Sequence, residues 1–304
     1  MSLEMVPFHE GEQLLDWVAL TQAIEAGHTL PKAEIGDTFL YRGKDTLLSR
    51  AAWIDGMGIA VKSATIFPDN PQVGKPVVGG GVSLYSDADG SLEAIVDFHL
   101  VTKWKTAGDS LLGALKLARK DSRKILIIGA GTVGRSLRQA YGAGFPEAEF
   151  TVWNRTGANA EKMAAQYPGM KVAESLEAAV KDADIITSAT MVTEPNLLGA
   201  WLQAGQHIDL IGAYRPDMRE ADDEALTRAR LFVDSYNTTI GHIGEIEIPL
   251  QTGVITREDL IADYYTPEKM TRRSDSEITL FKNGGGAHLD LMTSRYILEA
   301  WRQR

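Results

Sequence analysis

Three cationic residues in the first third of the chain have the chemistry needed to hold a small anion and to move a proton. Arg50 and Lys62 belong to β-like segments, Lys62 among apolar neighbours, and Lys105 precedes a predicted helix. A cation can anchor a carboxylate, and burial lowers the pKa of a lysine, which suits it to proton transfer near neutral pH. Taken individually, a cation in such a position is more often an ordinary surface cation. The prediction that they form a site for an anion depends on the three acting together.

A glycine-rich segment in the middle of the chain predicts the binding of a dinucleotide. Residues 123–128 form an apolar run typical of a buried parallel strand, and the segment GAGTVG follows at once. Here Gly129 permits a tight turn, Gly131 lets the backbone approach a pyrophosphate, and Gly134 lets the next helix pack against the strand. The N-terminus of that helix offers free amides and a partial positive charge to the phosphates.

The end of the second strand bears on the choice between NAD and NADP. An NAD-selective site usually has an acid there to bind the ribose 2′-hydroxyl, but this chain has Asn154, Arg155 and Thr156. A neutral Asn does not repel a 2′-phosphate, Arg can pair with it, and Thr can donate to it. The alternative is a solvent-exposed Arg at a strand end. The segment therefore predicts that NADP(H) is preferred, with NAD(H) possible.

The composition excludes several classes of protein. The chain has 304 residues, 44% hydrophobic and 24% charged, which is typical of a soluble globular protein and long enough for two domains. A net charge of −10 without a Lys/Arg cluster argues against nucleic acid and anionic membranes as partners. The absence of cysteine excludes disulfides, thiolate catalysis and zinc–cysteine sites. We expect no metal, no membrane span and a cytoplasmic location.

The elements that must position these residues fall into two groups. We predict a helix over residues 1–30 and then antiparallel strands between residues 37 and 107. From about Ser110 the pattern changes to alternating strands and helices, which implies a doubly wound parallel sheet. The predicted fold class is α/β, with a Rossmann-type doubly wound parallel sheet and a β-rich domain. We place the β-rich domain at 1–110, rejoined by about 284–304, and the other at 111–283.

From about Arg50 to the C-terminus, the chain resembles the ornithine cyclodeaminase/mu-crystallin family of nicotinamide-dependent proteins. The matching segments, in the family's order and spacing, are LLSR, GIAVKSATIFPDNP, GKPVVGG, VTKWKTA, ILIIGAGTVG, VWNRT, ADIITSAT, IGAYRPDMRE and ITLFKNGG. The resemblance implies a homodimer. In it, a β-rich substrate and dimerisation domain is joined to an NAD(P)-binding Rossmann domain.

The resemblance also implies roles for individual residues. Arg50 and Lys62 match the substrate-binding Arg and Lys of the family, and Lys105 would help Arg50 to hold the substrate carboxylate. Lys62 would also hydrogen-bond the substrate and help to move the proton, which makes it the predicted catalytic residue. The predicted cofactor-binding residues are Gly129, Gly131, Thr132, Val133, Gly134, Asn154, Arg155, Thr156, Thr190, Ile211, Tyr214 and Asn283.

Three positions depart from the family pattern. Ornithine cyclodeaminases carry an Asp directly after the glycine-containing pair that ends the fifth strand, where this chain has Tyr214. The segments GAYRPDMRE and VWNRT are instead similar to the mu-crystallin branch, whose activity is ketimine reduction with NADPH. Lys105 replaces an Arg and keeps its charge but not its bidentate fork. Val77 replaces a cofactor-contacting Thr.

The leading interpretation is an NAD(P)H-dependent oxidoreductase that reduces an α-imino acid (ketimine), cyclic or acyclic, to an amino acid. Hydride transfer needs a cationic iminium, which a neutral Lys62 would tolerate better. The alternatives are an ornithine cyclodeaminase that makes proline and ammonia, an amino-acid dehydrogenase such as alanine dehydrogenase, and a non-catalytic protein that retains NADPH. The expected partners are a small amino or imino acid and a second copy of the chain.

Overall fold

The computed structural model describes residues 3–304. Its strands are β1 (Glu4–Val6), β2 (Glu34–Arg42), β3 (Asp45–Ile54), β4 (Gly58–Ile66), β5 (Val78–Tyr85), β6 (Leu92–Asp97), β7 (Lys124–Ile128), β8 (Glu149–Trp153), β9 (Lys171–Val172), β10 (Ile185–Ser188), β11 (His207–Leu210), β12 (Arg230–Val233), β13 (Leu260–Ala262) and β14 (Thr279–Lys282). Its α-helices are α1 (Phe8–Glu12), α2 (Trp17–Gly27), α3 (Phe98–Leu117), α4 (Thr132–Gly144), α5 (Gly157–Ala164), α6 (Leu176–Asp182), α7 (Asp223–Arg228), α8 (Tyr236–Thr239), α9 (Gly244–Thr252) and α10 (Ala287–Arg302).

The chain forms two compact units. The first contains the residues up to Lys105 together with Gly286–Arg304, and the second contains Thr106–Gly285. The predicted boundaries lie within a few residues of these. They differ most at the first boundary, where α3 runs without a break from one unit into the other, so that no loop marks the division. The functions assigned to the two domains stay a prediction.

The first unit is built on a six-stranded sheet in the order β1-β6-β5-β4-β3-β2. Its neighbouring strands are antiparallel, except that β1 pairs in parallel with β6. The single helix predicted for residues 1–30 is wrong, because this segment forms β1, α1 and α2. Pro7 and Asp16 each begin a new helix, and the Asp16 carboxylate caps α2 by accepting a hydrogen bond from the Ala19 N–H.

The two faces of this sheet have different environments. Helix α10 packs on one face against β3 and β4, and α2 packs on α10. That face carries Val82, Leu84 and Val96, which are fully buried. On the other face Met5 and Trp53 expose 57% and 51% of their surface. Exposed apolar side chains grouped on one sheet face are typical of an interaction surface.

The second unit is built on an eight-stranded sheet in the order β13-β12-β14-β11-β10-β7-β8-β9, with every neighbouring pair parallel. The central strands β7 and β10 are almost completely buried, as in parallel sheets that helices cover on both faces. The order reverses between β7 and β10, which creates a topological switch point at their carboxyl ends. The predicted fold class is confirmed.

Candidate active site

Strand register brings charged residues together on one face of the first sheet. Arg50 on β3 lies opposite Lys62 on β4, and Asp37 on β2 lies opposite Arg50. Directly opposed residues project from the same face of a sheet. This is the face that α10 covers, because Lys62 contacts Asp290 of that helix. The structure therefore places two of the predicted substrate-binding residues side by side and adds a carboxylate beside each.

Lys62 is a buried lysine held by two acceptors. It exposes 9% of its surface, and its Nζ donates to Asp290 Oδ1 and to Thr102 Oγ1, both at 2.9 Å. The Phe98 ring centroid lies 4.8 Å from the same nitrogen, which is a cation–π contact. An ammonium group has three N–H donors, so one remains for a ligand. Lys62 is thus a positioned donor rather than a solvated strand lysine.

The charges around Lys62 set its proton affinity. Burial lowers the pKa of Lys62, Asp290 opposes this effect, and the nearby cations Lys105 and Arg50 add to it. Burial raises the pKa of the Asp290 carboxyl, but the same three cations outweigh burial and hold that pKa below its ordinary value. Asp290 is therefore an anion that balances the ammonium charge. A neutral Lys62 is not needed for the site to tolerate a cationic substrate.

Arg50 is engaged by Asp37 in a bidentate ion pair. Arg50 Nε lies 3.3 Å from Asp37 Oδ1, and Nη2 lies 2.6 Å from Oδ2. Burial lowers the pKa of the guanidinium, but the hydrogen bond and charge of Asp37 raise it above the ordinary value. The pair uses one edge of the guanidinium. The edge that carries Nη1 stays available to a carboxylate ligand.

Lys105 differs from the other two cations because it pairs with none of the residues 3–304. It exposes 9% of its surface and forms no hydrogen bond or ion pair with any residue that the structure describes. It lies close enough to Lys62 and Asp290 to change the pKa of both. Lys62 and Arg50 are each balanced by one carboxylate, so Lys105 leaves this cation cluster (Arg50, Lys62, Lys105) with one uncompensated positive charge. Such a cluster suits a ligand with one carboxylate.

The glycine-rich turn in the second unit fits the pyrophosphate of a dinucleotide. Gly129 has a φ of +110°, which favours glycine, and a Cβ on Gly134 would lie 2.0 Å from the Gly129 carbonyl oxygen. Gly131 precedes α4, and among the described residues nothing lies within 4 Å of the position its Cβ would take. Thr132 and Val133 are exposed in the first turn of α4. The open space beside these N–H groups is where a phosphate would bind.

The three residues predicted to set cofactor choice follow β8, but their side chains have different surroundings. Asn154 Oδ1 accepts from the Ala130 N–H at 3.1 Å, and Asn154 Nδ2 donates to the Thr156 carbonyl at 3.0 Å. This amide ties the glycine-rich turn to the end of β8. Arg155 and Thr156 are exposed. The Arg155 side chain, which forms no hydrogen bond within the described part of the chain, is therefore available to a 2′-phosphate.

Thr190, Ile211 and Tyr214 follow the carboxyl ends of β10 and β11. Thr190 donates to Glu220 Oε1 from its backbone N–H at 2.8 Å and from its hydroxyl at 2.9 Å. Ile211 is half-buried, whereas Tyr214 exposes 58% of its surface. These predicted cofactor residues thus lie in the loops after β10 and β11, which are neighbouring strands on one side of the switch point.

Asn283, at the end of β14, has a bracing role. Its Nδ2 donates to the Thr106 carbonyl and to Ser110 Oγ, both at 3.0 Å, and its backbone N–H donates to the Leu210 carbonyl at 3.1 Å. These bonds join β14 to the second half of α3 and to β11. A contact of Asn283 with the cofactor stays a prediction.

Three carboxylates were missed by the sequence analysis, namely Asp37, Asp290 and Glu220. Asp290 had a signal, because it is the only charged residue in the segment AHLDLMTS, and a lone acid in a buried segment usually has a partner. Asp37 had none, and Glu220 had only its place at the end of the family-matching segment IGAYRPDMRE. The partners of these two carboxylates lie on other strands and loops. Spacing along the chain does not predict contacts of this kind.

The described residues contain neither a metal cluster nor a membrane helix. No group of three or more His, Asp or Glu side chains within residues 3–304 could hold a metal ion. In the same range, no helix combines the length and apolarity needed to cross a membrane.

Proteins similar in sequence support the predicted resemblance. The model of the Ornithine cyclodeaminase/mu-crystallin family matches residues 52–304. The Delta(1)-pyrroline-2-carboxylate reductase of Paracoccus denitrificans is 49% identical over 291 residues, covering 93% of this chain and 92% of that protein. The ketimine reductase mu-crystallin of Mus musculus is 32% identical over 245 residues, covering 80% of this chain and 76% of that protein.

Solved structures agree over the whole chain. The Thermococcus litoralis Delta(1)-pyrroline-2-carboxylate reductase in complex with NADH and L-proline has a TM-score of 0.89 and 27% identity, covering 99% of this chain and 98% of that one. An archaeal alanine dehydrogenase dimer with bound NAD has the same TM-score and identity, covering 100% of this chain and 97% of that one. The predicted resemblance is confirmed, and the chain belongs to the ornithine cyclodeaminase/mu-crystallin family.

Proposed function

We propose that this chain reduces Δ1-pyrroline-2-carboxylate, a cyclic α-imino acid, to proline. At the coarser level, the chain is an NAD(P)-dependent oxidoreductase that reduces α-imino acids to amino acids, as the sequence predicted. The relative at 49% identity supports the finer assignment by its name. In the reaction, the C=N bond accepts a hydride at carbon and a proton at nitrogen, which gives a secondary amine.

The unpaired positive charge of Lys105 is the observation that carries the proposed substrate class. Because the cation cluster has two carboxylates for three cations, it takes up one further anion without excess charge. A substrate with one carboxylate meets this requirement. A dicarboxylate would leave a buried negative charge without a partner, which is costly.

The geometry of the first unit suggests how its residues act on the substrate. The free edge of Arg50 and the Lys105 ammonium would hold the carboxylate, and the third N–H of Lys62 would point at the imine nitrogen. Its lowered pKa makes Lys62 a better proton donor than a surface lysine. Asp290 would then stabilise the iminium cation that accepts a hydride. When bound, the nicotinamide supplies that hydride.

We also propose that NADPH is preferred over NADH. A nicotinamide cofactor is supported by the fit of the glycine-rich turn and by relatives whose structures hold NADH or NAD. The preference for NADP rests on the chain's own residues, since Asn154, Arg155 and Thr156 follow β8 and the exposed Arg155 side chain bonds to none of the described residues. The second unit would be the NAD(P)-binding domain.

A homodimer is the proposed assembly, formed through the first unit. Its support is the exposed apolar face with Met5 and Trp53, the exposed edge strand β2, and the archaeal relative described as a dimer. Closed two-fold assemblies are the commonest outcome for such a surface. Light scattering at micromolar concentration should give twice the mass of the chain. A clean monomer would contradict this assignment.

The test of function is a substrate panel scored by consumption of the reduced cofactor. The panel contains Δ1-pyrroline-2-carboxylate, its six-membered homologue, pyruvate with ammonia, and a dicarboxylic imine. We expect the five-membered cyclic imine to give the highest kcat/KM. Efficient use of pyruvate with ammonia would favour an alanine dehydrogenase instead, and no turnover with any substrate would favour a binding protein.

Ornithine cyclodeaminase is the second candidate from another enzyme class. Tyr214 weighs against it, since the position that needs a carboxylate carries an exposed phenol. Incubation with ornithine and NAD, followed by an ammonia assay, separates the two functions. Release of ammonia without net formation of NADH would establish the cyclodeaminase.

A further inference from the structure

Glu220 is a fully buried carboxylate that binds two separate loops. Oε1 accepts hydrogen bonds from Ser188 Oγ at 2.5 Å and from both the N–H and the hydroxyl of Thr190. Oε2 accepts from the N–H groups of Gly212 at 2.5 Å and Ala213 at 3.2 Å. Burying a carboxylate is costly unless its oxygens are satisfied. Five donors satisfy this one, of which Ser188 is the last residue of β10 and the other four lie in the loops after β10 and β11.

These two loops pack against each other and against the glycine-rich turn. A Cβ on Gly212 would lie 2.2 Å from the Thr190 carbonyl oxygen, so the loops touch at their backbones. A Cβ on Gly129 would lie 2.8 Å from the Ala189 carbonyl oxygen and 3.5 Å from Thr190 Cγ2. The segment held by Glu220 therefore forms the wall of the switch point that faces the glycine-rich turn.

Glu220 is itself fixed by a second buried carboxylate. Glu245 accepts from the Glu220 N–H at 2.6 Å and from the Ala221 N–H at 3.1 Å. Both carboxylates thus act on backbone N–H groups, and neither forms an ion pair with a described side chain. Such an arrangement fixes the shape of the backbone and contributes no cation to a ligand.

We propose that Glu220 is a positioning residue that sets the place of the nicotinamide ring by clamping the loops after β10 and β11. This inference rests on the proposed function and on the predicted contact of Thr190 with the cofactor. Hydride transfer depends steeply on the distance and angle between the reacting atoms. The phosphates and the adenosine half are held by the glycine-rich turn and the end of β8, which Glu220 does not touch. Loss of the clamp should therefore weaken the nicotinamide half of the site alone.

The variant that tests this is Glu220→Gln, because an amide has one acceptor oxygen and presents an NH2 group to backbone N–H donors. Calorimetry compares the affinity for the reduced cofactor with the affinity for ADP-ribose or its 2′-phosphate, which lack the nicotinamide. We expect the fragment affinity to change by less than about twofold and the cofactor affinity to fall at least about fivefold. Imine reduction should fall at least about tenfold, with a larger isotope effect from 4-deuterated cofactor.

Glu224→Gln is the matched control, since Glu224 is exposed on the adjacent helix α7, and it should leave all these values within about twofold. A parallel loss of both affinities in Glu220→Gln would show a merely structural residue and overturn the proposal. Equal affinities in parent and variant would overturn it as well. The affinity comparison needs no substrate, so it decides the role of Glu220 even if the parent reduces none of the proposed imines.

Thr190→Val covers the case in which Glu220→Gln does not fold. Valine keeps the shape of threonine but removes the hydroxyl that donates to Oε1. We expect the same difference between the two ligands: the cofactor affinity should fall about two- to fivefold, and the affinity for the fragment without nicotinamide should not change. In a double-mutant cycle with Glu220→Gln, where both fold, the two losses should not add. Unchanged cofactor affinity in Thr190→Val, or additive losses, would contradict the clamp.

Discussion

The two units of the molecule neutralise the charged side chains of their candidate sites in opposite ways. In the first unit, side chains balance side chains, as in the pairs Lys62–Asp290 at 2.9 Å and Arg50–Asp37 at 2.6 Å. In the second unit, backbone N–H groups satisfy carboxylates, as around Glu220 and Glu245. The first arrangement can leave a residual charge for a ligand, and it does so at Lys105. The second fixes loop shape and offers no charge.

This difference assigns different kinds of selectivity to the two units. In the proposed function, the residual positive charge of the first unit would select substrates by their number of carboxylates, and the buried Lys62 would add a hydrogen-bond donor. Backbone geometry in the second unit would select for the shape of a dinucleotide, because the glycines leave room and the helix N–H groups would face its phosphates. Arg155, which is exposed, would add discrimination by charge there. Variants that alter one unit should therefore leave the selectivity of the other unchanged.

The largest effect is expected at Lys62, where the first unit combines charge with proton transfer. Lys62→Met keeps the length and suits the apolar strand, so packing loss should be small. Imine reduction should fall at least about 100-fold, because general acid assistance and a substrate hydrogen bond are both lost. NADPH affinity should change by less than about threefold. Steady-state kinetics and cofactor titration measure the two quantities.

Lys75→Met provides the control for that variant, since Lys75 is an exposed lysine of the same unit. It should reduce imines within about twofold of the parent. If Lys62→Met also stays within a few-fold of the parent, Lys62 has no catalytic role. The assignment of substrate chemistry to the first unit would then fail. A non-catalytic binding protein would become the better interpretation.

The next largest effect concerns stability and belongs to the second unit. Burial and the neighbouring Glu220 raise the pKa of Glu245 from 4.5 to about 7. Below pH 4.5 the carboxyl is protonated in both the folded and unfolded states. Between pH 4.5 and about 7 the unfolded state releases this proton and the folded state keeps it, so stability falls with rising pH. The contribution lost is up to about 3 kcal/mol.

Glu245→Gln should remove this pH dependence. The amide loses one backbone hydrogen bond, so the variant is less stable than the parent at pH 5, and its deficit should shrink as the pH rises past 7. Denaturant unfolding at several pH values measures the difference. Glu224→Gln should show no such trend, because Glu224 is exposed. A deficit that stays constant between pH 5 and 8 would contradict the buried titration.

The same contrast explains what the sequence could and could not predict. The glycine-rich turn is local, so the roles of Gly129, Gly131 and Gly134 follow from spacing along a strand, a turn and a helix. The cation cluster is not local. Arg50 and Lys62 were chosen for their residue types and for the family resemblance, and their contact depends on strand register. Asp290 reaches Lys62 from the last helix, 228 residues away along the chain, a distance over which periodicity carries no information.

The Arg155 side chain is the proposed source of charge selectivity in the second unit. Arg155→Ala should remove most of the preference for NADPH over NADH, an effect of about ten- to hundredfold if the guanidinium donates to the 2′-phosphate. The use of NADH should change little. Arg123→Ala is the control, since Arg123 is an exposed arginine near the start of β7, at the opposite end of that strand from the glycine-rich turn. An enzyme that favours NADH, or a preference indifferent to Arg155, would contradict the proposed cofactor choice.

The smallest effect is expected at Asp37 and tests the charge balance of the first unit directly. Asp37→Asn removes one of the two carboxylates and leaves a second uncompensated positive charge beside Arg50. The ratio of kcat/KM for a dicarboxylic imine to that for Δ1-pyrroline-2-carboxylate should rise about two- to fivefold. A larger change is not expected, because Asp37 and Arg50 expose 30% and 29% of their side chains and solvent screens the interaction.

Asp45→Asn, which alters the Arg42–Asp45 pair of the same two strands, should leave the ratio unchanged. If the ratio falls or stays constant in Asp37→Asn, Asp37 only orients the guanidinium. The net charge of the cation cluster would then not select substrates by their number of carboxylates.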